Sequence, residues 1–433
     1  IGRPYILYNQ HLNHGLIDVL SDYGIKAITV DCIEPNYNFL KARFPHIYWN
    51  YGQITLSSLK VIAEKKNLFP LFLTCFSCGP DSFVLNYFYK EMESLKKPYL
   101  SLQFDGHSAA TGYLTRIEAA IDSFRNYLKM NINGKLADFS YSIPDGKFNG
   151  RKVLIPPMDI DGAKLVAASF KRIGIDADVL NETNFSFKEG LKHSIGHECS
   201  PYHSTLGALI SKLKSNGNEK FAYFMPTGTG PCRFGQYSVL QNAVIKELGY
   251  EAQVISPSGE NAYSGLPLKL RMIFFDAIIM NDILRKIVLT TRPYERKKGE
   301  TDKIYNEILF EIGDAIANKG DYISVFDRAL KRLKGIRTRN IKKPKVGIVG
   351  EIYVRSNAFL NDYLINAIEQ LGGTALISSF SEWFFYTLFS EKLEEKLINN
   401  KSILNAIRLA IKNRYYIKRE HFFYSKAKSY FNI

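Results

Sequence analysis

The sequence predicts an α/β protein made of repeated Rossmann-like parallel-sheet domains with a helical connecting region. Three observations carry this expectation. Short, near-continuous apolar runs recur along the chain, as parallel strands buried on both faces require. A glycine or proline break and then a helical stretch follow each run. The alternation starts afresh three times, and strands alternating with helices assemble as right-handed βαβ units.

The first stretch opens with RPYILYNQ (3–10), a helix near Gly15–Tyr23 and the strand IKAITVD (25–31). It continues with LFPLFLTC (68–75), a helix from Pro80 to Leu95, PYLSLQFD (98–105) and a helix over Tyr113–Tyr127. The second begins at KVLIPP (152–157), with a helix over Gly162–Ile173 and the strand ADVL (177–180). A helix follows Cys199, then FAYFMPTG (221–228), a helix over Ser238–Leu248 and AQVISP (252–257). The third is KVGIVGEI (345–352), a helix over Asn357–Leu371 and TALISS (374–379). These elements predict a first Rossmann-like domain over 1–130, a polar linker over 131–150 and a second Rossmann-like domain over 151–263. A mostly helical region spans 264–342, interrupted near 290–301, and a third α/β piece with a helical basic C-terminus spans 343–433.

Composition agrees with a globular chain. Of 433 residues, 46% are hydrophobic and 23% charged, enough for two or three domains with substantial cores. No run approaches the roughly 18 apolar residues of a membrane span, and no signal segment precedes the first strand, so the expectation is a cytoplasmic protein without a membrane partner. The first residue is Ile1 rather than Met, which suggests a segment of a longer polypeptide. The net charge is +15, with Lys and Arg densest over Arg285–Lys345 and from Lys412 onward. No helix-turn-helix, zinc-finger or RNP pattern accompanies that charge, so it reads as a solvated lysine-rich surface, and nucleic acid is not the expected partner. A basic face also suits an acidic electron donor or coenzyme phosphates.

Five cysteines are too few for a disulfide scaffold, and the number is odd. Cys78 in LTCFSCGPDSF follows a strand and precedes Pro80 and Asp81, which open a helix. Cys199 in GHECSPYHSTLG precedes a helical stretch with Pro201 in its first turn. Cys232 in GTGPCRFGQY stands between a strand and a helix. Three thiols thus share one address, the start of a helix, on the sheet edge where α/β proteins bind ligands. A helix N-terminus favours the thiolate, the form that binds metal. GTGPCRFG lacks the lysine of a phosphate loop, and Arg233 takes the third glycine's place of a dinucleotide fingerprint. His193, His197, Cys199 and His203 leave a zinc-stabilised binding or scaffold module open, and His197 or His203 would serve as base for a cysteine nucleophile. Three thiols at equivalent positions suit iron–sulfur chemistry better than either.

The stretches GRPYILYNQHLNHG, FPHIYWNYGQ, FSCGPDSF, SLQFDGHSAATGYLTRIEAAIDSF, GHECSPY, MPTGTGPCRFGQY and KVGIVGEIYVRSNAFLN, with SEW, carry a resemblance over residues 2–383. The chain resembles the 2-hydroxyacyl-CoA dehydratase and double-cubane-cluster protein superfamily. It looks most like the C-terminal part of the CoA-substrate-specific enzyme activases. The resemblance implies an oxygen-sensitive component of an iron–sulfur dehydratase or reductase system. An ATP-dependent activator of actin/hexokinase-like fold, separate or fused upstream, would supply a low-potential electron for radical dehydration of an acyl-CoA or for reduction of a small molecule. Carried over by position, Cys78, Cys199 and Cys232 would be the cluster ligands, with Cys75 replacing Cys78 or standing behind it and Cys32 structural. Five cysteines cannot supply six thiolates, so one chain would hold a single four-iron four-sulfur cube, or a double-cubane cluster would be shared across a homodimer or a pseudo-dimer with a preceding half. In LQFDGH, Gln103 and Gly106 stand where the family pattern has acidic residues, and the chain carries no activator ATPase motif.

Asp105, His107, Ser108, Thr115, Arg116 and Glu118 follow a strand end and are expected to face the same crevice. His107 suits proton donation or a hydrogen bond to a cluster sulfide. Arg116 and Glu118 read as catalytic partners or as an interdomain ion pair. Arg355, beside Glu351 and Tyr353, suits a carboxylate or phosphate, and Glu382 and Trp383 suit packing at a domain seam.

Overall fold

The computed structural model describes every residue except 77–78, 106–109, 138–140, 142, 146, 149, 216–218, 259–265, 398–402 and 433. The fold is α/β with short parallel sheets and abundant helix, as the alternating pattern predicts. The chain forms two compact units. The first comprises Ile1–Pro144, Leu191–Cys199 and Thr227–Val244, and the second the rest.

In the first unit, β1 (Leu71–Cys75) pairs in parallel with β2 (Leu100–Phe104), in register from Leu71↔Leu100 to Cys75↔Phe104. The crossover is the helix Asp81–Leu95. Gly2 bridges Leu73 on the other side of β1, where an added Cβ would stand 2.8 Å from the Leu73 carbonyl oxygen. The core gathers Ile6, Leu16, Leu20, Leu73, Leu102, Phe104, Ile117 and Ile121.

The opening of the chain departs from the expected strands. Residues 4–7 form a short helix with Pro4 in its first turn, where the missing amide costs nothing. Asn9 then caps Gln10–Asn13 by accepting from the His11 and Leu12 amides. IKAITVD pairs with no described strand and ends in a 3-10 turn, Val30–Cys32. Its apolar residues alternate too weakly to bury a face, and only Val30 is in the core. The helix Asn50–Glu64 escaped the periodicity because its buried face includes Gly52, Thr55, Ser57 and Ser58 beside Leu56, Leu59 and Ile62. Ser57 and Ser58 donate to the Ile54 and Thr55 carbonyls, so their hydroxyls enter the core satisfied.

In the second unit, β3 (Lys152–Ile155), β4 (Ala177–Val179), β5 (Phe221–Phe224) and β6 (Gln253–Ile255) make a parallel sheet of order β4-β3-β5-β6. The first strand in sequence lies inside, so the direction of winding reverses between β3 and β5, the ligand-binding point of open α/β sheets. Asp159 caps the helix Ile160–Arg172, which follows β3. The helical region consists of Leu268–Thr291, Glu300–Ala317 and Tyr322–Lys334. The first of these is buried around most of its circumference, among Ile308, Ile312, Phe326, Leu330 and Phe423. Its buried Asp276 holds Arg419 through two hydrogen bonds and accepts from the Tyr322 hydroxyl at 2.7 Å. The interruption near 290–301 is a 3-10 turn, Arg292–Tyr294, whose Arg292 pairs with Asp302 and Glu369. β7 (Lys345–Ile348) and β8 (Thr374–Ile377) form a separate parallel pair. The helix expected over Asn357–Leu371 is shorter, Leu364–Gln370, because Asp362 and Tyr363 just before it have left-handed backbone, φ +53° and +54°. No helix of the described residues is long and apolar enough to cross a membrane.

Candidate functional site

The helix Asp81–Leu95 organises the thiol-bearing segments of the first unit. Asp81, in its first turn, is buried. It accepts from Thr74 Oγ1 at 3.1 Å and from Arg3 Nε at 3.0 Å. Thr74 precedes Cys75 at the end of β1, so this carboxylate ties the end of the strand to the start of the helix. Burial pushes the Asp81 carboxyl up, and the Arg3 charge and the hydrogen bonds only partly offset it.

Two further segments attach to the same helix. Arg233 Nη1 donates to Ser82 Oγ at 2.9 Å, and Ser82 Oγ donates to the Gly79 carbonyl at 3.0 Å. Asn86 Nδ2 donates to Glu198 Oε1 at 2.6 Å. Ser82 and Asn86 are four residues apart, on one helix face and about 6 Å along the axis. Arg233 is the neighbour of Cys232, and Glu198 is the neighbour of Cys199. The segments carrying these two thiols therefore meet one face of the helix a turn apart. Glu198 also accepts from the Ile195 amide at 3.2 Å, which curls its loop. His197 Nδ1 lies 3.3 Å from Gln103 Nε2, on β2.

The Cys232 loop is held from several sides. Trp49 Nε1 donates to the Gly230 carbonyl and Tyr48 Oη to the Cys232 carbonyl, each at 3.0 Å. Thr227 Oγ1 donates to the Gly235 carbonyl at 3.0 Å. Gln236 Nε2 donates to the His46 carbonyl at 3.3 Å and its Oε1 accepts from Tyr87 Oη at 3.0 Å. Phe83 stacks on Tyr237 at 5.7 Å. Gly230 has φ +100°, a backbone state that suits glycine. At Gly235 a Cβ would lie 2.0 Å from the Gly228 carbonyl oxygen, so only glycine fits. Cys232 immediately precedes the 3-10 turn Arg233–Gln236, which leads into the helix Tyr237–Glu247.

Of the expected ligands, Cys75 and Cys199 are half-buried and Cys232 is exposed. Cys78 and His107 lie outside the described residues, as does Ser108. Cys32 is exposed, with its Sγ 3.4 Å from Thr29 Oγ1. Among the described residues no three His, Cys, Asp or Glu side chains form a metal-binding group. The donor type of these residues, soft thiols with Gly and Pro beside Cys199 and Cys232, is of the kind that sulfide clusters use. His203 belongs to the second unit, buried with its ring against Phe187 and Tyr202.

Arg116 and Glu118 occupy the solvent face of the helix Ala110–Lys129, whose buried face is Tyr113, Ile117, Ala120, Ile121 and Phe124. Glu118 accepts from the Tyr23 hydroxyl and holds that phenol's pKa up. Thr115 donates back to the Thr111 carbonyl. Glu351 caps the helix Ile352–Ser356, and Tyr353 donates to Glu182 at 2.8 Å. The Arg355 carbonyl accepts from Asn361. Trp383 packs near Tyr386. Sequence reasoning missed Tyr48, Trp49, Ser82, Asn86 and Glu198 as anchors. Trp49 offered a signal, because an indole N–H that enters a core needs an acceptor.

Fold and site together define a parallel α/β protein in which the segments bearing Cys199 and Cys232 are tethered to one helix, Asp81–Leu95. Comparison with protein-family models, with curated proteins and with solved structures gives no match.

Proposed function

We propose that the thiol segments gathered on the Asp81–Leu95 helix hold an iron–sulfur cluster, and that the chain is an electron-transfer component of the 2-hydroxyacyl-CoA dehydratase and double-cubane type. The observation that supports this reading is the pair of tethers Arg233–Ser82 and Glu198–Asn86. They bring two thiol segments, distant in sequence, to the helix that opens just after a third. Cys78, Cys199 and Cys232 would hold the cluster, with Cys75 at the end of β1 as the alternative or supporting thiol. When bound, the cluster supplies a one-electron site. The chain's own residues position the thiols. Trp49 and Tyr48 fix the Cys232 loop through its carbonyls, and Glu198 fixes the Cys199 loop. An ATP-dependent activator would be the electron donor, and an acyl-CoA or another small molecule the acceptor.

Anaerobic iron and sulfide analysis after reconstitution tests this. About four irons per chain, with equal sulfide, is the expected result. Cys199→Ala and Cys232→Ala should each lose iron, while Cys32→Ala should keep it. A colourless protein, or zinc without sulfide, would overturn the proposal.

A further inference from the structure

Two basic segments within the helical region, one before the helix Glu300–Ala317 and one after the helix Tyr322–Lys334, lie side by side. After the 3-10 turn Arg292–Tyr294 the chain continues through Glu295–Lys298 to the helix Glu300–Ala317. The segment beyond Lys334 returns alongside it. Glu295 and Thr338 form an antiparallel bridge. The Arg296 amide donates to the Arg337 carbonyl at 2.9 Å, and the Arg339 amide donates to the Tyr294 carbonyl at 2.7 Å.

This register decides where the charges point. Side chains alternate along each strand, and residues directly opposite share a face. With Glu295 opposite Thr338, Arg296 stands opposite Arg337 on the other face, and the Arg339 amide reaches the end of the 3-10 turn at Tyr294. The Glu295 carboxylate is accordingly turned aside to the Gly299 and Thr301 amides at 2.6 and 2.8 Å. Arg296, Lys297, Lys298, Arg337, Arg339 and Lys342 are exposed. Among the described residues none of the six forms an ion pair with a carboxylate; Arg296 Nε and Arg339 Nη2 reach only backbone carbonyls. Like charges directly opposite destabilise a ribbon, so a bound anion would relieve the Arg296–Arg337 pair.

We propose that this ribbon binds the phosphodiester backbone of nucleic acid. The cations are spread over the two bridged segments, Arg296–Lys298 and Arg337–Lys342, rather than set on one residue or one turn, which favours a polymer over a single phosphate. Same-face residues such as Arg337 and Arg339 are about 7 Å apart, twice the axial spacing of roughly 3.4 Å between phosphates on one DNA strand. Binding through phosphates reads no sequence, in keeping with the missing recognition motifs. The inference rests on the ribbon alone and stands whether or not the thiols hold iron.

The test is fluorescence anisotropy of the full chain with a labelled duplex of about 20 base pairs, between about 50 and 200 mM KCl. Log affinity should fall linearly with log salt, with a slope near −4 for four to five phosphates at about −0.9 each. The double variant Arg296→Gln with Arg337→Gln should reduce that slope by about two and weaken binding about 60-fold at 0.1 M salt, the release of two counterions. Its thermal midpoint should not fall, because a like-charge pair is removed. Lys60→Gln, at a half-buried lysine paired with Glu64 in the first unit, should bind as the wild type does. No binding at 50 mM salt, or an unchanged slope in the double variant, would overturn the proposal. Retention of polyglutamate but not of duplex would assign the face to an acidic protein, and would also overturn it.

Discussion

Gly235→Ala places one methyl group in the tightest part of the Cys232 loop. A Cβ there lies 2.0 Å from the Gly228 carbonyl oxygen and 2.5 Å from Tyr48 Oη. Carbon contacts settle at about 3.5 Å, so the carbonyl must retreat by more than about 1 Å. Tyr48 cannot swing away without releasing the Cys232 carbonyl, and Gly228 cannot move without dragging Thr227, which holds the Gly235 carbonyl. Overpacking costs about 1–3 kcal/mol, and one lost hydrogen bond adds about 1. The sum, about 2–4 kcal/mol, corresponds to a fall of roughly 4–16 °C in thermal midpoint for a unit of this size. Differential scanning fluorimetry measures it. Gly228→Ala is the control, because no atom lies within 4 Å of a Cβ there and its backbone is not left-handed. That variant should stay within about 0.5 kcal/mol of wild type. A Gly235→Ala protein that melts with the wild type, or a Gly228→Ala protein equally damaged, would refute the reasoning.

Burial of His46 lowers its pKa to about 4, while its ordinary value is 6.5. The unfolded chain therefore takes up a proton that the folded chain refuses, and stability should fall by about 3 kcal/mol as pH drops from about 6.5 to 4. Urea midpoints of His46→Gln should lose that part of the pH dependence, and a slope equal to wild type would count against it. Asp276→Ala should cost about 3–5 kcal/mol in urea unfolding, since it strands Arg419 and the Tyr322 hydroxyl. A loss below about 1 kcal/mol would show that the pair contributes little. Ser82→Ala combined with Asn86→Ala should raise the rate of Cys199 and Cys232 alkylation several-fold in the metal-free chain, and unchanged rates would show that the tethers do not hold these loops.

The parallel strands were legible because each is a short apolar run, most of them closed by Gly or Pro, and β1 to β8 all lie inside the predicted runs. RPYILYNQ misled because Pro4 and Asn9 are helix-opening residues, and their local hydrogen bonding outweighs the β tendency of Tyr and Ile. The helix Asn50–Glu64 was hidden because serine and threonine can be buried when they bond their own turn, which no hydrophobic period records. At the candidate site the cysteines announce themselves by residue type. Their anchors do not, because Ser82 and Asn86 acquire meaning only from Arg233 and Glu198, more than a hundred positions away. The arginine ribbon escaped for the same reason, since a charge count cannot report register.

The first unit takes its last two pieces, Leu191–Cys199 and Thr227–Val244, from far along the chain. A ribosome that has finished residue 144 has therefore not finished this unit. Its closing contacts wait until about a hundred more residues emerge, a delay of roughly 5–20 seconds at ordinary synthesis rates. During that interval the faces of the Asp81–Leu95 helix that later meet Glu198 and Arg233 have no native occupant, and the nascent thiol of Cys75 waits with them. A truncated chain ending at the apparent first boundary would stay in that state permanently. Dissection of this protein should cut around residues 191–244, not between the two units as the order of the sequence suggests.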